Sequence, residues 1–258
     1  SENHIVASFD NDMSELESLF EEMGSIVLLQ LKDATRALRK EDRKLAKKVV
    51  KGDKQLNELE RELNDLAIKI LALRQPFALD LRYVLATLKS AGYLERMGDL
   101  TRNMAQRTRT IAKAEAETGP IETLIRMSEL VQAMTEDILK AYKSRDSELA
   151  KTVRDQDEKV DMAHNSLFRE LLTYMMEDTS NISACMHVLF IAKNIERMGD
   201  NIADIAQEIV YMATGEWPDS KRIKGDKTSK IILRINSFCS LLIEIIAVTN
   251  IIIFSSLN

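Results

Sequence analysis

Apolar side chains recur at spacings of three and four along most of this chain. Leu16, Leu19, Phe20, Met23, Ile26 and Val27 trace the i, i+3, i+4, i+7 stripe of an amphipathic helix, and Leu56, Leu59, Leu63, Leu66 and Ile70 trace another. No alternating strand segment with flanking turn signals interrupts the pattern before residue 230. The spacing predicts a long helix over about 8–40, a short one near 42–50, and two more over about 53–74 and 79–113. A second series follows at about 120–144, 146–155, 157–178 and 182–214. Asp42 and Asp146 stand where helix N-caps belong, and Thr118-Gly119-Pro120 separates the two series. The expected fold is all-α: two tandem three-helix bundles of antiparallel long helices.

The two series are copies of one another. At an offset of 104 residues Met23 pairs with Met127, Val27 with Val131, Asp42 with Asp146, Val49 with Val153 and Asp53 with Asp157. Beyond Pro76 the offset falls to 101, pairing Leu88 with Leu189 and Gln106 with Gln207, so one turn of the second copy is three residues shorter. A repeat of this length predicts two domains built alike: residues 1–117, residues 118–217, and a remainder, 218–258.

Within the repeat one pentapeptide recurs unchanged, at Glu95–Asp99 and Glu196–Asp200, each followed four residues on by a polar side chain, Asn103 or Asp204. Like charges at i, i+4 destabilise a helix by about 0.2–0.5 kcal/mol, so a chain that keeps the arrangement twice has a use for it. Its partners emerge from the turn geometry. Asn57 and Glu95 each lie 19 residues from Pro76, and Asp53 and Asp99 each lie 23 away. An antiparallel hairpin centred there sets Asn57 opposite Glu95 and Asp53 opposite Asp99. About the Asp178/Thr179 junction the same symmetry sets Asp161 opposite Glu196 and Asp157 opposite Asp200. Asn103 and Asp204 extend each row by a turn, rotated roughly 80° from its first member.

Oxygen side chains gathered between two helices repel one another unless they are protonated or share a cation, and hard oxygen donors suit magnesium, calcium, manganese or iron better than zinc. Gly98 and Gly199, on the same face, cost a helix about 1 kcal/mol each relative to alanine; the missing side chain there serves close packing or access. The plainer alternative is a set of exposed carboxylates with Arg96 and Arg197 as surface partners. Four such turns, duplicated and in matching register, favour the ion site.

Composition adds mainly exclusions. Gly, Pro and aromatics are scarce, which suits helices. The net charge of −5 and the lack of a basic stripe interleaved with aromatics argue against nucleic acid as a partner. Arg36 to Lys54 is rich in Lys and Arg, and is read as a solvated helix face before it is read as a docking surface. Cys185 and Cys239 lack any CxxC spacing, so Cys185 is expected to be a buried small residue. Nothing at the N-terminus resembles a signal peptide, so the expected compartment is the cytoplasm. His164 makes an acid-x-x-His turn with Asp161, but its counterpart is Glu60, and a lone helical histidine is expected at the surface. Met97, Met198, Met175 and Met176 are expected as core filler. Neither a phosphate-cradling Gly-rich loop nor a nucleophile arrangement can be placed.

Over about residues 8–217 the chain resembles the PhoU family of phosphate-uptake regulators, through Asp53-Lys-Gln-Leu-Asn57 with Glu95-Arg-Met-Gly-Asp99, and Asp157-Glu-Lys-Val-Asp161 with Glu196-Arg-Met-Gly-Asp200. Asn57 departs from the acidic residue that the family carries at that corner. The resemblance implies two three-helix bundles whose paired acidic turns bind metal ions, here iron, manganese or magnesium. It implies a regulator rather than an enzyme, one that keeps uptake and the phosphate-starvation response restrained. Its implied partners are the ATPase subunit of a phosphate ABC transporter and a sensor histidine kinase, with membrane association through them, and a homodimer is a further expectation.

The competing enzyme reading is a carboxylate-bridged di-metal oxidase or an iron-storage bundle, which wants symmetric Glu-x-x-His turns; a bare structural scaffold is the third. The remainder fits none of these. After a basic stretch, Lys221 to Lys230, the segment Phe238 to Leu257 runs 20 residues with one charge, Glu244. That length can span a bilayer, or the segment is a packing helix or an extension outside the family's design; the last is preferred, because family members end near residue 220.

Overall fold

The computed structural model describes residues 2–114 and 120–218, and of residues 2–7, 53 and 114 the backbone alone. All of these belong to one compact unit. The apolar run from Phe238, the basic stretch before it and most of the Thr118-Gly119-Pro120 break lie outside the described residues.

Six α-helices account for nearly all of the described chain: α1 (Glu2–Arg39), α2 (Arg43–Arg74), α3 (Ala78–Ala114), α4 (Ile121–Ser144), α5 (Ser147–Glu177) and α6 (Ile182–Thr214), with a single 3₁₀ turn at Thr179–Asn181. The chain is all-α, and no strand occurs among the described residues. The short helices expected near 42–50 and 146–155 are not separate elements; they are the first turns of α2 and α5. Gly52 is the weakest helix former at the expected break in α2. One glycine costs about 1 kcal/mol, far less than opening a new terminus with its unsatisfied backbone groups.

The starts of α2 and α5 are set by the two expected caps. Asp42 Oδ1 accepts from Lys44 N and Leu45 N at 2.9 Å, and Asp146 Oδ1 accepts from Glu148 N and Leu149 N at 3.0 Å. Each cap also closes the helix before it, since Asp42 N–H donates to Ala37 O and Asp146 N–H donates to Ala141 O, both at 2.9 Å. The residue before each cap is left-handed, Glu41 at φ 50° and Arg145 at φ 54°. This is the Schellman arrangement with a non-glycine at its left-handed position.

In each half the three helices pack on one another, and the halves join through α3 on α6 and α1 on α4. Both joins are antiparallel. Lys89 meets Glu208, Thr101 meets Met198 and Arg107 meets His187 along the first. Glu21 meets Lys143, Lys32 meets Glu136 and Arg39 meets Glu129 along the second. One continuous apolar core therefore runs through both repeats, from Leu16 and Phe20 to Ile209 and Met212. Tyr142 is buried at the junction, its ring 4.0 Å from that of Phe20 and its hydroxyl bonded to Tyr83 (2.9 Å) and Thr87 (2.8 Å). Removal from water pushes the Tyr83 phenol up to about 12.

Candidate functional site

The α2–α3 turn spans Gln75–Phe77 and is centred on Pro76, where the register argument set it. Asn57, Glu95, Asp99 and Asn103 are all half-buried on α2 and α3. The side-chain oxygen of Asn57 is shielded from solvent with no hydrogen-bond partner among the described groups. The Asp53 side chain lies outside the described residues. Arg102, one turn on, holds Asp99 at 2.9 Å, whereas Arg96 turns outward over the ring of Tyr93. The partner expected of Arg96 is thus supplied by Arg102.

The second half is more tightly closed. Asp157 is only 5 % exposed, and a Cβ added to Gly199 would sit 2.6 Å from its Oδ1. The glycine is what lets the carboxylate lie against α6. In the first half the Cβ of an alanine at Gly98 would instead run into Leu56. Glu196 faces both Asp161 and Asp200 closely enough to feel their charge. Burial first, and then those two carboxylates, hold its proton above the ordinary 4.5, against the pull of Lys193. Lys193 Nζ lies 2.7 Å from both oxygens of Glu196. Glu196 therefore shares its electrostatic surroundings with Asp161 and Asp200, and Asp157 lies against Gly199 of the same helix. Asp204 stands apart: it accepts from Gln207 at 3.1 Å and acts electrostatically on Tyr93 of α3, so its row turns toward the α3–α6 seam.

Two residues here differ from the reading of the sequence. His164 is buried rather than superficial, because its face of α5 turns inward, and burial together with the Lys193 charge lowers its pKa to about 4. It is a neutral imidazole. Lys193 was missed altogether. Its counterpart in the first half is Gly92, so a search for what the two copies share passes over it; the signal was a lysine three residues before a buried glutamate. Of the methionines, Met97 and Met198 are core as expected and Met175 is half-buried against it, but Met176 is 85 % exposed at the end of α5. Cys185 is buried, as expected.

A hard cation would find suitable chemistry in these donors: carboxylate oxygens shielded from water, one carboxyl held toward its protonated form by burial and then by its acidic neighbours, and an amide oxygen without a partner. Among the described residues no three His, Cys, Asp or Glu side chains converge closely enough to hold a metal as they stand. Binding would require Lys193 to release Glu196, and Arg102 to release Asp99.

The PhoU domain matches the chain twice, over residues 20–108 and 124–209. The phosphate-specific transport system accessory protein PhoU homolog of Rhizobium meliloti is 42 % identical over 231 residues, covering 90 % of this chain and 98 % of that protein. Its Escherichia coli relative, PhoU, is 33 % identical over 229 residues, covering 89 % and 94 %. The crystal structure of PhoU from Pseudomonas aeruginosa superposes with a TM-score of 0.79 at 33 % identity, over 81 % of this chain and all of that one. With two domain matches and relatives aligned over nearly their full length, the chain belongs to the PhoU family.

Proposed function

We propose that this chain restrains phosphate uptake and keeps the phosphate-starvation response off when phosphate is plentiful, by linking the ATPase subunit of a phosphate ABC transporter to a sensor histidine kinase. The observation that carries the reading is the pair of PhoU domain matches, together with relatives aligned over nearly their full length that are named as accessory proteins of the phosphate-specific transport system. The role is regulatory rather than enzymatic. The oxidase alternative wants imidazoles in both halves, and His164 has Glu60 as its counterpart.

In this reading each hairpin holds iron, manganese or magnesium. Asp157, Asp161, Glu196 and Asp200 would hold the ion in the second half, with Asp204 a turn further on. Asp53, Asn57, Glu95, Asp99 and Asn103 are the corresponding set in the first, weaker by the charge that Asn57 lacks. A bound cation would neutralise the carboxylates and fasten the two helices of each hairpin, fixing the faces that partners read. Bare carboxylates repel phosphate, so direct contact with phosphate would pass through such an ion.

Elemental mass spectrometry of purified wild type and Glu196→Gln/Asp200→Asn tests the metal. A defined load that falls in the double variant while the first site keeps its share is the expected result; no metal above background in either would end the metal reading. Pull-downs of the ATPase subunit and the kinase cytoplasmic region with the same pair test the linkage. Wild type is expected to capture both and the variant less of each, and capture of neither by wild type would sink the adaptor role.

A further inference from the structure

The joint between α1 and α2 carries a concentration of positive charge that neither the core nor the acidic turns use. Residues 36–54 hold nine Lys or Arg against three acidic residues, in a chain whose overall net charge is −5. Two of the nine are taken, Arg36 by Asp33 and Arg39 by Glu129. Lys40, Arg43, Lys44, Lys47, Lys48 and Lys51 are exposed, and none forms an ion pair with a described carboxylate. Asp42, in their midst, is spent capping α2.

The stripe works against its own helix. Arg43 and Lys47, Lys44 and Lys48, and Lys47 and Lys51 are like charges one turn apart, each pair unfavourable. The second repeat avoids the problem. Ser147, Glu148, Thr152 and Asp155 stand where the first repeat has Arg43, Lys44, Lys48 and Lys51, and its remaining Lys151 pairs with Glu148 at 2.7 Å. The shared fold therefore does not require the stripe.

Its chemistry selects among anionic partners. Stable protein interfaces are anchored by aromatic, Met and Arg side chains and are depleted in Lys. Here five of the six cations are lysines, and no large apolar side chain is exposed between Leu29 and Ile68. Base-specific readout of a duplex and stacking on single strands use base-edge and aromatic contacts that the stripe does not offer. A surface of diffuse, closely spaced negative charge needs neither pocket nor anchor, only cations on a straight exposed ridge. We propose that the outer face of the first turns of α2, with Lys40 beside it, docks on the anionic surface of a lipid bilayer.

The test is flotation of the full chain with vesicles of phosphatidylcholine alone or enriched in phosphatidylglycerol, for wild type and for Lys44→Gln/Lys47→Gln/Lys48→Gln/Lys51→Gln. Wild type is expected to float with the anionic vesicles only, and to be released as salt rises from about 0.1 M to about 0.5 M, where screening shortens to a few ångströms. The quadruple variant is expected to bind at least about tenfold more weakly and, relieved of like-charge pairs, to melt no lower than wild type. A single Lys47→Glu/Lys48→Glu variant, changed at two exposed positions, provides the same readout should the quadruple variant fold poorly. The proposal is overturned if wild type ignores anionic vesicles, if both variants float as well as wild type, or if duplex DNA competes the vesicles away at equal charge.

Discussion

Three glycines of α3 and α6 show how much one missing methyl group can mean. A Cβ at Gly92 would meet nothing within 4 Å, at Gly98 it would press on Leu56, and at Gly199 it would displace the Asp157 carboxylate. Gly92→Ala is therefore expected to raise stability by about 1 kcal/mol, the helix-propensity difference. Gly98→Ala is expected to lose more than it gains, since overpacking a buried contact costs about 1–3 kcal/mol. Thermal denaturation of the two variants side by side checks both, and a stabilised Gly98→Ala would show that Leu56 yields freely. The special role of Gly98 and Gly199 was legible because both copies carry it. What escaped was whatever the copies do not share: Lys193 on Glu196, and the buried setting of His164, which a single polar letter on an amphipathic helix does not reveal. Arg102 escaped for another reason, because Arg96 and Arg102 offer the same charge on adjacent turns and only packing decides which reaches Asp99.

Helix ends were read more accurately than helix interruptions. The caps at Asp42 and Asp146 follow from residue type and position, and each serves the two helices it joins. Asp42→Ala and Asp146→Ala are each expected to cost about 1 kcal/mol, measured as a lower urea midpoint with an unchanged slope; a cost near zero would mean that water replaces the carboxylate. The division of α2 and α5 into short and long pieces failed because a polar residue, Asp53 or Asp157, stands at an in-phase position of the apolar stripe while the helix itself continues. Side-chain periodicity reports which face is buried, not where a helix stops. The α2–α3 turn was found where expected because Pro76 marks it in the sequence.

The two repeats meet along α3 and α6, and the seam is where the architecture could least be read in advance. Glu208 is 5 % exposed there, its carboxyl held above the ordinary 4.5 by burial despite Lys89 at 3.3 Å. A carboxyl that keeps its proton longer folded than unfolded favours the fold at low pH. Its contribution fades as pH rises from 4.5 through the higher folded value. Glu208→Gln is accordingly expected to flatten the fall in melting temperature across that window and to leave the protein at least as stable at pH 7. An unchanged pH profile would place the titration elsewhere. The repeat makes a second seam contact equivalent to this one: Phe190 corresponds to Lys89 and Arg107 to Glu208, and the Arg107 guanidinium lies 4.1 Å over the Phe190 ring. Were the first repeat to pair with a copy of itself in the same manner, Lys89 would face Arg107, twice. Were the second to do so, Phe190 would be pressed on a buried Glu208. Only the unlike pairing satisfies both positions, so the divergence of the two copies acts as a code for mutual recognition, directing each half of the chain to the other and away from its own kind.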